Sequence, residues 1–192
     1  MTHILHKATT GALLSLSFIV VSSDAVLAGP TCSVSDIKVL LTNEAAPISC
    51  IGSTSGNDSN SATKNTLFGS SFTGNVNFDE FKLDNSEGTS AGSWFSIDEN
   101  STENGGTLTF LKNIDTVFSF VLKASTSYSS YLFDGVTAGK QFSFTTAGTA
   151  VNGQGKAQQL SHASLYFSNK AASTPTPVPT PTPTPVPTPT PT

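Results

Sequence analysis

Residues 116–135, TVFSFVLKASTSYSSYLFDG, alternate their side chains with a period of two. Phe118, Phe120 and Leu122 fall on one face, with Val117, Ser119 and Val121 on the other. After a small, polar stretch at 124–127, Tyr131 and Phe133 share a face and Tyr128 and Leu132 oppose them. This period, in aromatic and β-branched residues, marks half-buried strands. It predicts a hairpin at the centre of an all-β domain. Strand-like stretches also occur at 33–42, 66–72, 76–83, 93–98, 107–111, 141–145 and 160–167. In the last of these, Ala163, Leu165 and Phe167 oppose His162 and Tyr166. Phe78 and Phe81 break the alternation of VNFDEFKL and predict a bulge there. The turn signals between strands are Gly74-Asn75, Asp84-Asn85 with Gly88, Asn104-Gly105-Gly106 and Asn152-Gly153. Short strands at this spacing predict an antiparallel β-sandwich, jelly-roll-like, with thirteen phenylalanines and one tryptophan to supply its core.

Two flanking segments depart from this pattern. Residues 1–28 have Lys7 near the start, a ten-residue apolar run at 12–21 and the small-residue site Val26-Leu27-Ala28. The run is shorter than the roughly 20 residues that span a bilayer, so it reads as a cleaved secretory signal peptide. From Thr174 onward a proline stands at every second position, and nine of the eleven prolines lie here. Proline lacks the N–H and fixes φ, so this stretch is expected to be disordered, sampling extended polyproline II at about 3.1 Å per residue. The predicted organisation is signal peptide 1–28, β-sandwich 29–170 and Thr/Pro-rich tail 171–192.

Export changes the reading of the two cysteines. In an oxidising compartment Cys32 and Cys50 are expected to form one disulfide. Closing a loop of that size stabilises by about 3 kcal/mol in the chain-entropy picture. The formal charge of -4 and the absence of arginine weigh against nucleic-acid binding, which relies on arginine for bidentate contacts. No basic amphipathic stretch suggests a membrane surface, and no stable membrane insertion is expected after signal cleavage.

Candidate chemistry is sparse. Asn57, Asp58, Ser59 and Asn60 offer oxygens within the polar stretch 51–64, but one carboxylate does not make a calcium loop, and a solvated turn is expected. Asn57-Asp58-Ser59 and Asn100-Ser101-Thr102 match the short glycosylation pattern. After residue 28 the only histidine is His162, which excludes a His-rich metal centre and reads as a hydrogen-bonded structural residue. No GxSxG accompanies it. Asp79-Glu80, Asp98-Glu99 and Asp134 are the acids a glycosidase would draw on, at strand ends and turns where solvated acids are expected. Trp94 is expected in the core, and Tyr128 and Tyr131 lie on opposite strand faces, so they form no joint sugar platform. Gly105-Gly106 reads as a turn. No catalytic, cofactor or metal residue is assigned.

The pieces CIGSTSGNDSN (50–60), LFG (67–69), GSWFSI (92–97), FVLKAS…YSSYLFDG (120–135) and LSHASLYF (160–167), in that order, resemble the secreted domain of PEP-CTERM proteins, the bacterial exosortase substrates. The resemblance implies an extracellular or cell-surface destination and no enzymatic activity. It also implies partners among exopolysaccharide or other matrix components. Such proteins end in Pro-Glu-Pro, an apolar helix and a basic cluster. The sequence ends at Thr192 within its proline-rich stretch, which implies a released member without the sorting signal. The expected function is a non-catalytic surface or matrix protein. The alternatives are a secreted carbohydrate-binding module and, behind it, a glycoside hydrolase.

Overall fold

The computed structural model describes residues 30–40, 46–61, 63–84 and 89–173. The leader 1–28, the tail from 174, and the predicted turn residues Asn85 and Gly88 lie outside the described residues. The fold is an all-β sandwich of two antiparallel sheets. The first orders β1 (Ile37–Val39), β9 (Gln141–Thr145), β6 (Gly105–Phe110), β5 (Phe95–Glu99) and β4 (Thr89–Ala91). The second orders β2 (Ser49–Ser55), β8 (Ser127–Val136), β7 (Ile114–Ala124), β10 (Leu160–Ala171) and β3 (Val76–Asp84).

The central hairpin is β7 and β8, turning at Ser125-Thr126, with Lys123 opposite Tyr128 and Phe118 opposite Phe133. Its two faces divide as the alternation predicts. Phe118, Phe120, Leu122, Tyr131 and Phe133 point between the sheets, meeting Phe95, Leu108, Phe110, Phe142 and Phe144 of the first sheet. Phe110 meets the rings of Phe118, Phe120, Phe133 and Phe142 at centroid distances of 5.4–6.0 Å, all near edge-on, the geometry that aligns ring edge with ring face. Val117, Val121, Tyr128, Leu132 and, from β10, Tyr166 face the other way.

That outer face is also buried, because a third layer covers it. Residues 66–72, predicted as a strand, instead form the helix α2 (Lys64–Phe68) and a turn. Thr63 and Thr66 make a reciprocal capping box: the Thr66 N–H donates to the Thr63 hydroxyl at 3.2 Å and the Thr63 N–H to Thr66 Oγ1 at 2.9 Å. Leu67, Phe68 and Phe72 then bury against Val117, Val121 and Tyr128. Just before it, α1 (Asp58–Ser61) forms a single turn. The polar stretch 51–64 therefore supplies the end of strand β2 and this cover rather than a solvated loop.

Other expectations need adjustment. The first strand spans only Ile37–Val39, after a 3-10 turn at Val34–Asp36 capped by Ser33. Gly105 and Gly106 open β6 instead of forming a turn. A Cβ at Gly106 would lie 2.2 Å from the Asp98 carbonyl oxygen, so only glycine admits the β5–β6 approach. The predicted bulge in β3 is present: Leu165 pairs with Phe81 but Phe167 with Asn77, and Phe78 is turned out to solvent. Cys32 and Cys50 are disulfide-bonded, joining the segment before β1 to β2.

Phe110→Ala is expected to cost about 3–5 kcal/mol, whereas Phe78→Ala should change stability by about 0.5 kcal/mol or less. Urea unfolding of the two variants checks this.

Candidate functional site

On the outer face of the second sheet, β10 presents His162, Ser164, Tyr166 and Ser168, all buried. The chain folds α1 over them and places Asp58, wholly buried, against two of these side chains. His162 Nε2 lies 2.7 Å from Asp58 Oδ1, and the Tyr166 hydroxyl donates to Oδ2 at 3.1 Å. Burial pushes the Asp58 carboxyl up, but hydrogen bonds from His162, Ser164 and Tyr166 together with the His162 charge outweigh it and hold it below the ordinary value. Burial, reinforced by the Asp58 and Glu80 carboxylates, pushes the Tyr166 phenol up, so it stays a donor. Next to this group Lys123, 7% exposed, stands directly across from His162 on β7. Burial lowers the affinity of its amine for a proton, the Asp58 carboxylate partly opposing.

Asp58, Glu80 and His162 each bring one ligand atom within 4.8 Å of the others. Two carboxylates and an imidazole would suit a first-row divalent metal. Here, however, both Asp58 oxygens are already engaged and Ser164 donates to Glu80 Oε1 at 3.2 Å. Lys123 and Lys82 flank the group, opposing a further double positive charge. The arrangement is complete as a buried hydrogen-bond network that fastens the cover to β10.

At the other end of β10 lies a groove of about 480 Å³, between β3, Trp94 and the crossover into β7. Trp94, Phe81 and Phe167 form its apolar wall, and Asn77, Asp79, Asn113, Asp115 and Asn169 supply amides and carboxylates. Trp94 is half-buried, its ring centroid 4.8 Å from Phe167 and 5.4 Å from Phe81, with interplanar angles of 55° and 63°. The three rings make a corner rather than a flat platform. Lys112 Nζ sits 4.8 Å from the Trp94 centroid, a cation over a ring face. An apolar wall with a few convergent polar groups, in a volume of this size, is the usual make-up of a small-molecule site.

The structure distributes the sequence-level candidates as follows. His162 is hydrogen-bonded as expected, but its partner is Asp58, 104 residues away. Tyr128 and Tyr131 are both fully buried, on opposite faces. Trp94 packs at the core margin and also lines the groove. The acids Asp79, Glu80, Asp98, Glu99 and Asp134 are spread over β3, β5 and β8. Asp134 accepts from the Ser173 N–H at 2.9 Å. Glu99 stands out: both its carboxylate oxygens are buried without a hydrogen-bond partner. Burial, with the Glu103 charge adding, raises its carboxyl to about 7. Sequence reasoning placed Asp58 in a solvated turn, whereas it is wholly buried, and did not single out Lys123. The signal for Lys123 was the apolar character of both β7 faces, which requires cover on each side. For Asp58 the carboxylate was visible but its burial was not, because Asn-Asp-Ser reads as a turn. Among the described residues no helix is long and apolar enough to cross a membrane. Comparison with protein-family models, curated proteins and solved structures finds no match for this chain.

Asp58→Ala removes the partner of His162 and Tyr166 at once and is expected to cost about 3 kcal/mol, read by urea unfolding. Glu99 titrates in the opposite sense. Its folded value of about 7 lies above the ordinary 4.5, so the native state binds the proton more tightly. The stability that Glu99 contributes is full below pH 4.5 and is lost as pH rises through about 7. Glu99→Gln should therefore stabilise by about 2 kcal/mol at pH 8 and leave stability unchanged at pH 4, as measured by denaturant unfolding at the two pH values.

Proposed function

We propose that this chain is an exported, non-catalytic β-sandwich protein of the bacterial cell surface or extracellular matrix, of the PEP-CTERM kind. The observation that carries this reading is the Cys32–Cys50 disulfide, since such bonds persist in oxidising compartments and are rare in the cytosol. The leader-like pattern of 1–28 agrees with it. Support for a non-catalytic role comes from His162, whose Nε2 is committed to Asp58, and from the distribution of the acids over three strands.

A second reading is favoured by the Trp94 groove: binding of a carbohydrate, such as exopolysaccharide or another matrix component. Sugar rings are amphipathic. Their C–H faces pack on aromatic rings, and their hydroxyls pair with amides and carboxylates, the groups that line this groove. The corner formed by Trp94, Phe81 and Phe167 suits one sugar unit rather than a row of them.

Fractionation of the native host is expected to find the protein outside the cytoplasm with no free thiol, and cytoplasmic protein bearing two free thiols overturns export. On a glycan array the purified domain should bind matrix-type glycans, and Trp94→Ala should weaken that binding at least tenfold. An array without any hit overturns the carbohydrate reading and leaves the export reading standing.

A further inference from the structure

The two glycosylation patterns of the chain, Asn57-Asp58-Ser59 and Asn100-Ser101-Thr102, are alike as sequence, and the fold treats them differently. The pattern needs an asparagine amide nitrogen open to reaction and a hydroxyl two residues on, both presented at the surface. At Asn57 the side-chain oxygen is closed inside the protein without a donor. The middle residue, Asp58, is wholly buried and holds His162 and Tyr166. Lifting this triplet into an enzyme breaks the network that fastens the cover.

The second pattern sits in the turn between β5 and β6, and Asn100, Ser101 and Thr102 are all exposed. Thr102 folds back on the acceptor. Its N–H donates to Asn100 Oδ1 at 3.2 Å, and its hydroxyl lies 3.0 Å from that oxygen and 2.8 Å from Asn104 Oδ1. The Asn100 amide nitrogen has two N–H bonds. It makes a long contact, 3.4 Å, with Asn104 Oδ1. The turn is anchored elsewhere: the Glu103 carbonyl accepts from the Leu160 N–H at 2.7 Å and the Asn104 carbonyl from the Thr146 N–H at 3.0 Å. Substitution on Nδ2 therefore breaks no anchor. Asp98, also exposed, places a carboxylate two residues before the acceptor, a charge by which an enzyme can hold the segment.

We infer that Asn100 is a modification site whose Nδ2 receives an N-linked oligosaccharide from a polyprenyl pyrophosphate carrier, delivered by a membrane transferase. Nδ2 attacks C1 of the first sugar. The C1–O bond to the pyrophosphate breaks, its electron pair leaves with the lipid pyrophosphate, and one Nδ2 proton passes to a base of the transferase. The inference rests on the export reading above, since the transfer takes place outside the cytoplasm.

The test is peptide mass mapping of the chain recovered from the medium or envelope of its native host. Trypsin, cutting after lysine, places Asn100 in peptide 83–112 and Asn57 in peptide 39–64. The expected result is added sugar mass on peptide 83–112, placed on Asn100 by fragmentation, with peptide 39–64 at its unmodified mass. Asn100→Gln and, separately, Thr102→Ala should lower the occupancy at least tenfold, while Thr102→Ser keeps it. The map of the parent chain carries the test even where a variant does not fold. Peptide 83–112 without added mass, in exported and disulfide-bonded protein, overturns the inference and leaves export standing. Sugar mass on serine or threonine alone, or full occupancy in Thr102→Ala, does the same. Cytoplasmic protein with two free thiols overturns both.

Discussion

The structure depends on the burial of its second sheet on both faces. A strand with one wet face can carry serine and lysine there without cost, but β7, β8 and β10 have no wet face along most of their length. A polar group on the covered side costs free energy unless it finds a partner inside the protein, and the Tyr128 hydroxyl is buried there without one. The partners are specific. The Ser130 hydroxyl donates to the Leu67 carbonyl at 2.6 Å, and Ser168 donates to the carbonyl of Val117. Asp58 takes His162 and Tyr166. These bonds add little net free energy each, about 1 kcal/mol, but leaving any one of them unmade costs more. They fix where the cover sits, and hydrophobic contact of Leu67, Phe68 and Phe72 with the sheet provides the attraction.

How much of this was legible in the sequence follows from the range of each interaction. The alternation in β7, β8, β9 and β10 is local and strong, because large aromatic residues leave no doubt about which side is inside, and the strands and their faces fall where it points. The break at Phe78 and Phe81 likewise locates the bulge of β3. Residues 66–72 misled for a local reason: Thr, Leu and Phe are good strand residues, and the Thr63–Thr66 capping box, a two-residue signal, turned them into a helix. β2 was hidden because its small polar residues carry no period, and only pairing with β8 orders them. The site was the least readable part. His162 and Lys123 are neighbours only through strand register, and Asp58 reaches them from across the sequence.

The Trp94 groove and a second cavity, of about 450 Å³ at the start of β10, share this origin. β10 is the longest strand, and at each end it runs past the region where sheet and cover, or sheet and sheet, close fully on each other. At its start the cover ends at Asn57 and exposes a recess lined with charge; at its end the sandwich opens beside Trp94 and exposes rings. Both recesses stand on a rigid framework rather than on long loops. A ligand would then meet side chains already ordered by core packing, which lowers the entropic cost of binding.

The Cys32–Cys50 bond has a mechanical meaning. β1 and β2 are edge strands of different sheets, each held to its sheet by a single neighbour, β9 or β8. Hydrogen-bonded edges are where a sheet unzips one rung at a time under load. With the sulfur bridge in place, tension entering the folded body at Cys32 is passed straight to β2, and β1 is shielded from being peeled away alone. The two sheets are thereby clasped along one seam, and a pull at Cys32 is carried by the β2–β8 ladder while β1, inside the bridged loop, stays out of the line of force.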